Sequence, residues 1–372
     1  MRHVYVHVPF CRRRCTYCDF AIAVRRQVPA DRFVRAVVRE HDVRRAQEPW
    51  DTAPLETLYL GGGTPSLLPA AQLGELVRRL VEAHGAVSPD AIEITLEANP
   101  DDVTPSAAAA WVAAGVNRVS LGVQSFDANV LAWMHRTHAP EASEEAVRRL
   151  RAAGIGAISL DLIFALPEAL APDLRGELDR ALALDPEHLS VYGLTVEART
   201  PLARWIARGA AVPVGDERYA EEFLLADALL TAAGLEHYEV SNYARPGYRS
   251  RHNGAYWSGR PYVGLGPSAH SFRPGERAWN LRDWAAYERT VAQQGSAVAE
   301  REHLDAAARR LEQIYLGLRT SEGVAAQSVG ARVAGELEAA ARHGWLLLES
   351  GRIRPTAQGW LMLDALASRL TT

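Results

Sequence analysis

Lysine is missing from this chain: all 41 of its basic residues are arginine. That excludes a Schiff-base lysine and a P-loop lysine outright. The same bias that favours Arg and Ala codons accounts for it without a functional cause. Cysteine is scarce too, with three residues, all between positions 11 and 18. An odd number packed at one end rules out a disulfide framework and fits a reducing compartment. No apolar run approaches the roughly 20 residues of a membrane span, and no signal-peptide core precedes the first strand-like run, so the expected location is the cytoplasm. A net charge of −4 gives no general reason to expect nucleic acid as partner. Repeats and low-complexity tracts are absent apart from alanine richness. At 372 residues, 48% hydrophobic and 23% charged, the chain suffices for one large α/β core and a smaller domain.

What is present begins at once. Tyr5-Val-His-Val-Pro-Phe-Cys11-Arg-Arg-Arg-Cys15-Thr-Tyr17-Cys18-Asp19-Phe20 holds every cysteine at spacings C-x3-C-x2-C. Three thiolates on one short loop make a metal site with one ligand missing. A four-iron cluster needs four ligands, so a cluster held by three leaves one iron with an open position. A structural zinc would want a fourth Cys or His. His7 is the nearest alternative, but it lies upstream, inside the expected strand.

From the start to about Leu194, strand-like and amphipathic helical runs alternate, the pattern of a parallel α/β sheet. Strands are expected at His3–Val8, Thr57–Leu60, Ile92–Leu96, Arg118–Val123, Ile158–Ile163 and Leu189–Leu194. Helices are expected at Asp31–Gln47, Ala70–Ala83, Pro105–Ala114, Ala139–Ala153 and Asp173–Leu184. Polar groups collect where strands end: the cysteine loop, Gly61-Gly62-Gly63-Thr64-Pro65, Glu97 and Asn99, then Gln124, with Asp161 in the last half of its strand. In parallel barrels that rim carries catalysis. Six strands instead of eight predict an incomplete (β/α)6 barrel.

The cysteine loop resembles the signature of the radical SAM superfamily, in which S-adenosylmethionine (SAM) occupies the open iron of a [4Fe-4S] cluster held here by Cys11, Cys15 and Cys18. The resemblance also implies SAM contacts. The glycine turn resembles the family's GG-T-P element, and Tyr5, Gly62, Gly63, Thr64, Glu97, Gln124, Arg136 and Asp161 match SAM-contacting positions of the coproporphyrinogen-dehydrogenase branch. Tyr17 is expected against the same site. Glu97 and Asp161 would accept hydrogen bonds from ribose hydroxyls, and Arg136 would pair with a carboxylate. If SAM is cleaved, an electron donor is also implied.

After Leu194, Asp216–Ala233 reads as a helix and His237–Val240 as a strand. Ser241–Asn280 follows as a long aperiodic stretch, rich in Tyr, Trp, Gly and Arg, of the kind that is usually functional. Gly264-Leu-Gly266-Pro267 lacks the strand-then-helix context of a dinucleotide turn. Arg251-His252-Asn253-Gly-Ala-Tyr256-Trp257 resembles the H-N-x-x-Y-W motif of HemW-type haem chaperones. The resemblance implies a haem site at His252, Asn253, Tyr256 and Trp257, with haem as cargo for an acceptor protein, and a dimer is compatible with it. His270 is a second imidazole to consider. From about Glu300, a helix–helix–hairpin–helix order, with Leu304, Leu311 and Leu318 on one face and Val329, Val333 and Leu337 on another, predicts a winged-helix-like module. The expected units are 1–215, 216–299 and 300–372. The oxygen-independent coproporphyrinogen III oxidases share the cluster loop but continue C-x3-C-x2-C-x-C, where this chain has Phe20. That oxidase activity and a radical SAM haem methyltransferase are the competing readings.

Overall fold

Valines at every second position of His3–Val8 (β1) are fully buried, and the strand they build is central to the molecule. The computed structural model describes residues 1–50, 53–85, 91–330 and 333–371. After β1 come Thr57–Gly62 (β2), Glu93–Ala98 (β3), Arg118–Gln124 (β4), Ala157–Phe164 (β5) and His188–Gly193 (β6). Between them run the helices Ala30–Gln47 (α1), Ala70–Ala83 (α2), Pro105–Ala113 (α3), Pro140–Ala153 (α4) and Leu174–Ala183 (α5). Every one of these elements falls within two residues of its expected bounds. The local signals explain why. Thr104 caps α3, its hydroxyl accepting from the Ala107 N–H at 3.1 Å with Pro105 next in line, and α4 stops at Gly154 in the left-handed region.

The sheet has nine strands, in the order β9-β1-β2-β3-β4-β5-β6-β8-β7. Here β7 is Glu236–Glu239, β8 Asn242–Ala244 and β9 Val263–Leu265. The six expected strands are parallel; β9 joins β1 in parallel, while β8 and β7 run antiparallel at the far edge. Among the described residues, β9 and β7 are not paired, so the sheet stays open. This is the mixed α/β arrangement expected, extended at both edges.

The two faces differ in chemistry. Val4, Val6, Leu58, Leu60, Leu96, Val119, Leu121, Leu160 and Leu189 pack with Phe33, Val37, Leu73, Leu76 and Leu80 of the helices in one core. The alternate positions carry polar groups in register: His3 beside Thr57, Tyr5 beside Tyr59, Tyr59 beside Thr95, Glu97 beside Ser120, Ser120 beside Ser159, Asp161 beside Ser190. Side chains two apart share a face. The inner face is therefore a polar channel.

Two expectations change here. Ser241–Asn280 is not irregular: it contains β8, the helix Arg251–Trp257, β9 and the hairpin strands His270–Arg273 and Glu276–Asn280. Elements of three to seven residues are too short to display a period. The segment 216–299, expected to pack on the sheet, instead supplies three of its nine strands.

The C-terminal part contains Ala306–Leu318, Val324–Ala325, Ala334–Arg342, Leu346–Glu349 and Arg352–Pro355, then Ala357–Leu361 and Leu363–Thr371. Its three short strands pair antiparallel around a small core of Ile314, Leu318, Leu346, Ile353, Leu366 and Leu370. Val329 precedes the second helix instead of lying on it, and residues 331–332 of that expected face lie outside the described residues. Trp360 ties this part to the sheet, its indole N–H donating to Leu318 O at 3.0 Å and its ring 4.2 Å from His237. No described helix is long and apolar enough to cross a membrane.

Candidate functional site

The cysteine loop is stapled at its base and its middle. Phe10–Cys11 pairs with Ala23–Val24; Ala23 N–H donates to Pro9 O at 2.6 Å and Arg25 N–H to Cys11 O at 2.9 Å. At mid-loop, Thr16 N–H donates to Met134 O at 3.3 Å, while Thr16 O accepts from Leu202 N–H at 2.9 Å. All three thiols are free. The Thr64 hydroxyl donates to Cys11 Sγ at 3.5 Å, and Arg136 Nη1 approaches Cys15 Sγ at 3.9 Å. Burial pushes the Cys11 thiol up to about 11, with the Thr64 hydroxyl offsetting part of the rise, and it raises Cys18 as well. Binding a metal replaces the thiol proton.

Among the described residues no three His, Cys, Asp or Glu side chains close round a single ion. His7 is not turned to the thiols: Nε2 bonds Ala21 O at 2.9 Å, and Nδ1 lies 3.2 Å from the Tyr5 hydroxyl. Three free thiols on one fixed loop, beside an arginine whose buried Nε has no partner, suit a thiolate-held cluster larger than one ion.

The strand ends bring the other expected residues to the same end of the sheet. Gly62 has φ +109, and a Cβ there would meet the His7 ring at 2.6 Å, so only glycine turns the chain at this point. Glu97 accepts from the Gly62 N–H at 2.9 Å and from the Tyr59 hydroxyl at 3.0 Å. Asp161 accepts from the Ser120 hydroxyl at 2.9 Å to each oxygen. Burial raises Glu97 to about 7, helped by the nearby Asp161 charge and opposed by those two hydrogen bonds. Burial likewise raises Asp161 to about 6 against the pull of Ser190, Ser120 and Ser159 hydroxyls and the Arg118 charge.

Arg136 crosses this end, its Nη2 donating to Asn99 Oδ1 and to Gly122 O, both at 2.7 Å. Burial works against its charge, but neighbouring Tyr17 and Cys15 outweigh that and raise its pKa. Among the described residues Arg136 makes no ion pair with a carboxylate; Nη1 lies toward Cys15 and the buried Nε has no partner. Gln124 ends β4 with φ +66 at a register shift against β5. A Cβ on Gly122 would stand 2.9 Å from Gln124 Nε2 and 3.2 Å from Arg136 Nη2, so the bare glycine makes room for both. Tyr17 packs with Val130, Met134 and Leu166 under the loop, and burial raises its hydroxyl pKa.

Sequence reasoning missed the polar residues that line this face from the base up to the rim: Thr57, Tyr59, Ser120, Ser159, His188 and Ser190. Ser159 Oγ lies 2.7 Å from His188 Nδ1 and 3.4 Å from Ser190 Oγ. The signal was available, since polar residues at every second position are unusual in parallel strands, which ordinarily read as continuous apolar runs.

The H-N-x-x-Y-W segment forms the helix Arg251–Trp257, capped by Ser250 and with the backbone N–H groups of Arg251 and His252 on the Glu93 carboxylate. Within it His252 is the most enclosed polar side chain. It is 1% exposed, with Nδ1 2.6 Å from Thr57 Oγ1 and Nε2 2.8 Å from the Tyr256 hydroxyl. Tyr59 lies over it at 5.1 Å. Burial lowers its pKa to about 3. Each ring nitrogen has a hydroxyl partner in this arrangement. Asn253 is half-buried with its N–H on Ser250 Oγ, and Trp257 lies under the Arg319 guanidinium at 4.9 Å, facing the C-terminal part. The motif plugs the base of the polar channel.

The sequence profile of the radical SAM superfamily matches residues 5–176. The chain is 38% identical over 370 residues to the Heme chaperone HemW of Mycobacterium tuberculosis H37Rv, covering 99% of this chain and 94% of that protein. This chain belongs to the HemW family. Its Escherichia coli relative of the same name is 38% identical over 270 residues, 72% of this chain and 69% of that one. Among solved structures, coproporphyrinogen III oxidase (HemN) from Escherichia coli, a radical SAM enzyme, superposes with a TM-score of 0.81 at 23% identity, covering 100% of this chain and 90% of that one. That likeness establishes the shared fold. Residues 5–176 of this chain thus make a radical SAM domain, and that superfamily implies a [4Fe-4S] cluster and SAM.

Proposed function

We propose that this protein is a haem chaperone that carries a SAM-binding [4Fe-4S] cluster and passes haem to an acceptor protein. The observation that carries the reading is the 38% identity running through 94% of a relative named for that role. Phe20, standing where the oxidase pattern has another cysteine, supports it against the decarboxylating enzyme.

Cys11, Cys15 and Cys18 would hold the cluster, which when bound supplies an iron with an open coordination position. Around that position the chain presents donors and acceptors suited to an amino acid and a ribose. The Gly62–Gly63–Thr64 turn offers backbone carbonyls to an ammonium group. Arg136 keeps Nη1 and Nε for a carboxylate. Each oxygen of Glu97 and Asp161 retains a lone pair for a hydroxyl, and Gln124 and Tyr5 flank them. The carboxyls, raised toward neutrality by burial, gain charge-assisted hydrogen bonds when such hydroxyls arrive.

Anaerobic reconstitution followed by two parallel additions tests the reading. Haem in the first vessel is expected to produce a shifted Soret band, and transfer to an acceptor apoprotein should follow. Coproporphyrinogen III, SAM and reductant in the second are expected to give no protoporphyrinogen. Turnover in the second vessel would assign the oxidase activity instead.

A further inference from the structure

Residues 12–26 hold five arginines, Arg12, Arg13, Arg14, Arg25 and Arg26, against one acid, Asp19, in a chain whose net charge is −4. All five are exposed. The fold gathers them into one ridge on the cysteine loop. Phe10–Cys11 and Ala23–Val24 pair in parallel, with Cys11 opposite Val24, so Arg12 and Arg25 leave their strands side by side. The Arg25 N–H, donating to Cys11 O at 2.9 Å, holds the two runs together. Arg12 is set in place by ion pairs to Asp102 at 2.8 Å and Asp101 at 3.7 Å, and Arg14 donates to Cys18 O at 3.4 Å.

Elsewhere on the surface arginines sit beside acids. Arg78 pairs with Glu75 and Glu82, and Arg148 and Arg149 share Glu145. On the ridge, among the described residues, neither Arg13 nor Arg26 pairs with an acid. Like charges at this density repel one another, and an anionic surface relieves them. Val24, the residue opposite Cys11, is 45% exposed and adds an apolar contact to the basic patch. Arginine around an apolar residue is a composition suited to a small protein interface.

We infer that this ridge docks an acidic one-electron carrier protein, of the small iron–sulfur class, against the outer side of the cysteine loop. Charge complementarity and continuity with Cys11, Cys15 and Cys18 select that occupant. The inference rests on the cluster at these thiols, not on haem. The carrier's own centre is oxidised by one electron and the cluster is reduced by it; no bond forms or breaks and no proton moves. Redox contacts of this kind are small and are guided by complementary charge more than by area.

The test uses the anaerobically reconstituted full chain, with iron content measured first, and titrates a plant-type [2Fe–2S] ferredoxin by calorimetry. Wild type is expected to bind, and its affinity to fall about tenfold between low salt and about 0.3 M salt. The double variant Arg13→Glu/Arg26→Glu is expected to bind about tenfold more weakly or worse. Its iron content and cluster midpoint potential should stay those of wild type. Arg148→Glu/Arg149→Glu, the same change of net charge elsewhere, is expected to bind like wild type. Equal affinity in the ridge variant and wild type overturns the docking surface. A shifted potential with unchanged binding overturns it too, and assigns the arginines to balancing the cluster's charge. Wild type that ignores the ferredoxin but sediments with phosphatidylglycerol vesicles assigns the patch to a membrane instead. Wild type without iron removes the cluster itself and, with it, the reason for a redox partner.

Discussion

The base and the rim of the polar channel use similar residues to opposite ends. At the base, His252, Thr57 and Tyr256 satisfy one another, and Glu93 receives two backbone N–H groups. His3 Nε2 is the loose end, 3.9 Å from Glu56. At the rim, Arg136 Nε is buried without a partner, the thiols are free, and two buried carboxyls are pushed toward neutrality. A buried polar group with all its bonds made is structural; one left wanting is costly to keep unless something binds there. The difference in satisfaction, more than residue type, separates scaffold from site.

The sharpest break between the two regions is expected from Cys15→Ala. Iron and sulfide after reconstitution should fall to background, while the far-ultraviolet circular dichroism stays that of wild type, because the loop is held by backbone bonds at Pro9, Cys11 and Thr16. Retained iron would detach the cluster from these thiols. At the base the reverse is expected. His252→Ala removes the partner of the Tyr256 hydroxyl, leaves Thr57 with His3 alone and opens a buried cavity, and should cost about 2–4 kcal/mol in urea unfolding. His270→Ala, on an exposed ring, should stay within about 0.5 kcal/mol of wild type in the same assay. Equal costs for the two histidines would erase the distinction between a buried and an exposed imidazole.

Much of this arrangement is legible before any coordinates. Alternating strands and helices with proline and threonine starts, such as Thr104-Pro105, locate the six parallel strands and five of the helices between them, because each is long enough to show its period. The cysteine spacing and the residues at strand ends mark the rim for the same reason that barrels place chemistry there. Other features depend on contacts distant in sequence. Nothing local in Arg251–Trp257 says that His252 will face Thr57, 195 positions earlier. Likewise β9 spans three residues, and it becomes a strand only because β1 offers it a parallel edge.

Within the rim, Gly122→Ala probes whether Gln124 and Arg136 act together. The added methyl needs space now held by Gln124 Nε2 and Arg136 Nη2, both ends of side chains that can move aside. Cluster content is expected to be unchanged, while SAM affinity measured by calorimetry falls about tenfold, or about 1.4 kcal/mol. Undiminished affinity would take both side chains out of SAM recognition.

The smallest effect concerns protons and sets the rim against the base once more. Glu97 is raised from an ordinary 4.5 to about 7, so the folded protein holds a proton that the unfolded chain releases across that interval. Stability conferred by this group is therefore complete below pH 4.5 and is lost as pH rises toward 7. Simple linkage gives roughly 1.4 kcal/mol per pK unit and Asp161, raised to about 6, adds to the loss; the net change is expected to be only about 1 kcal/mol because His252 works in the opposite direction. His252, lowered to about 3, stays neutral in the folded protein while the unfolded chain charges it below its ordinary 6.5, so the base gains stability as pH rises to 6.5 and opposes the carboxyl slope. Urea midpoints of the cluster-free protein at several pH values, set against those of Glu97→Gln, should show the carboxyl's slope as the difference between the two. With the cluster rebuilt, saturating SAM should flatten it, because hydroxyl donors stabilise the carboxylate and draw its pKa back down. A variant with the same pH dependence as wild type would move the titration to another buried carboxyl, either Asp161 or Glu239, the latter raised to about 7 by burial against the pull of Asn242 and Arg319.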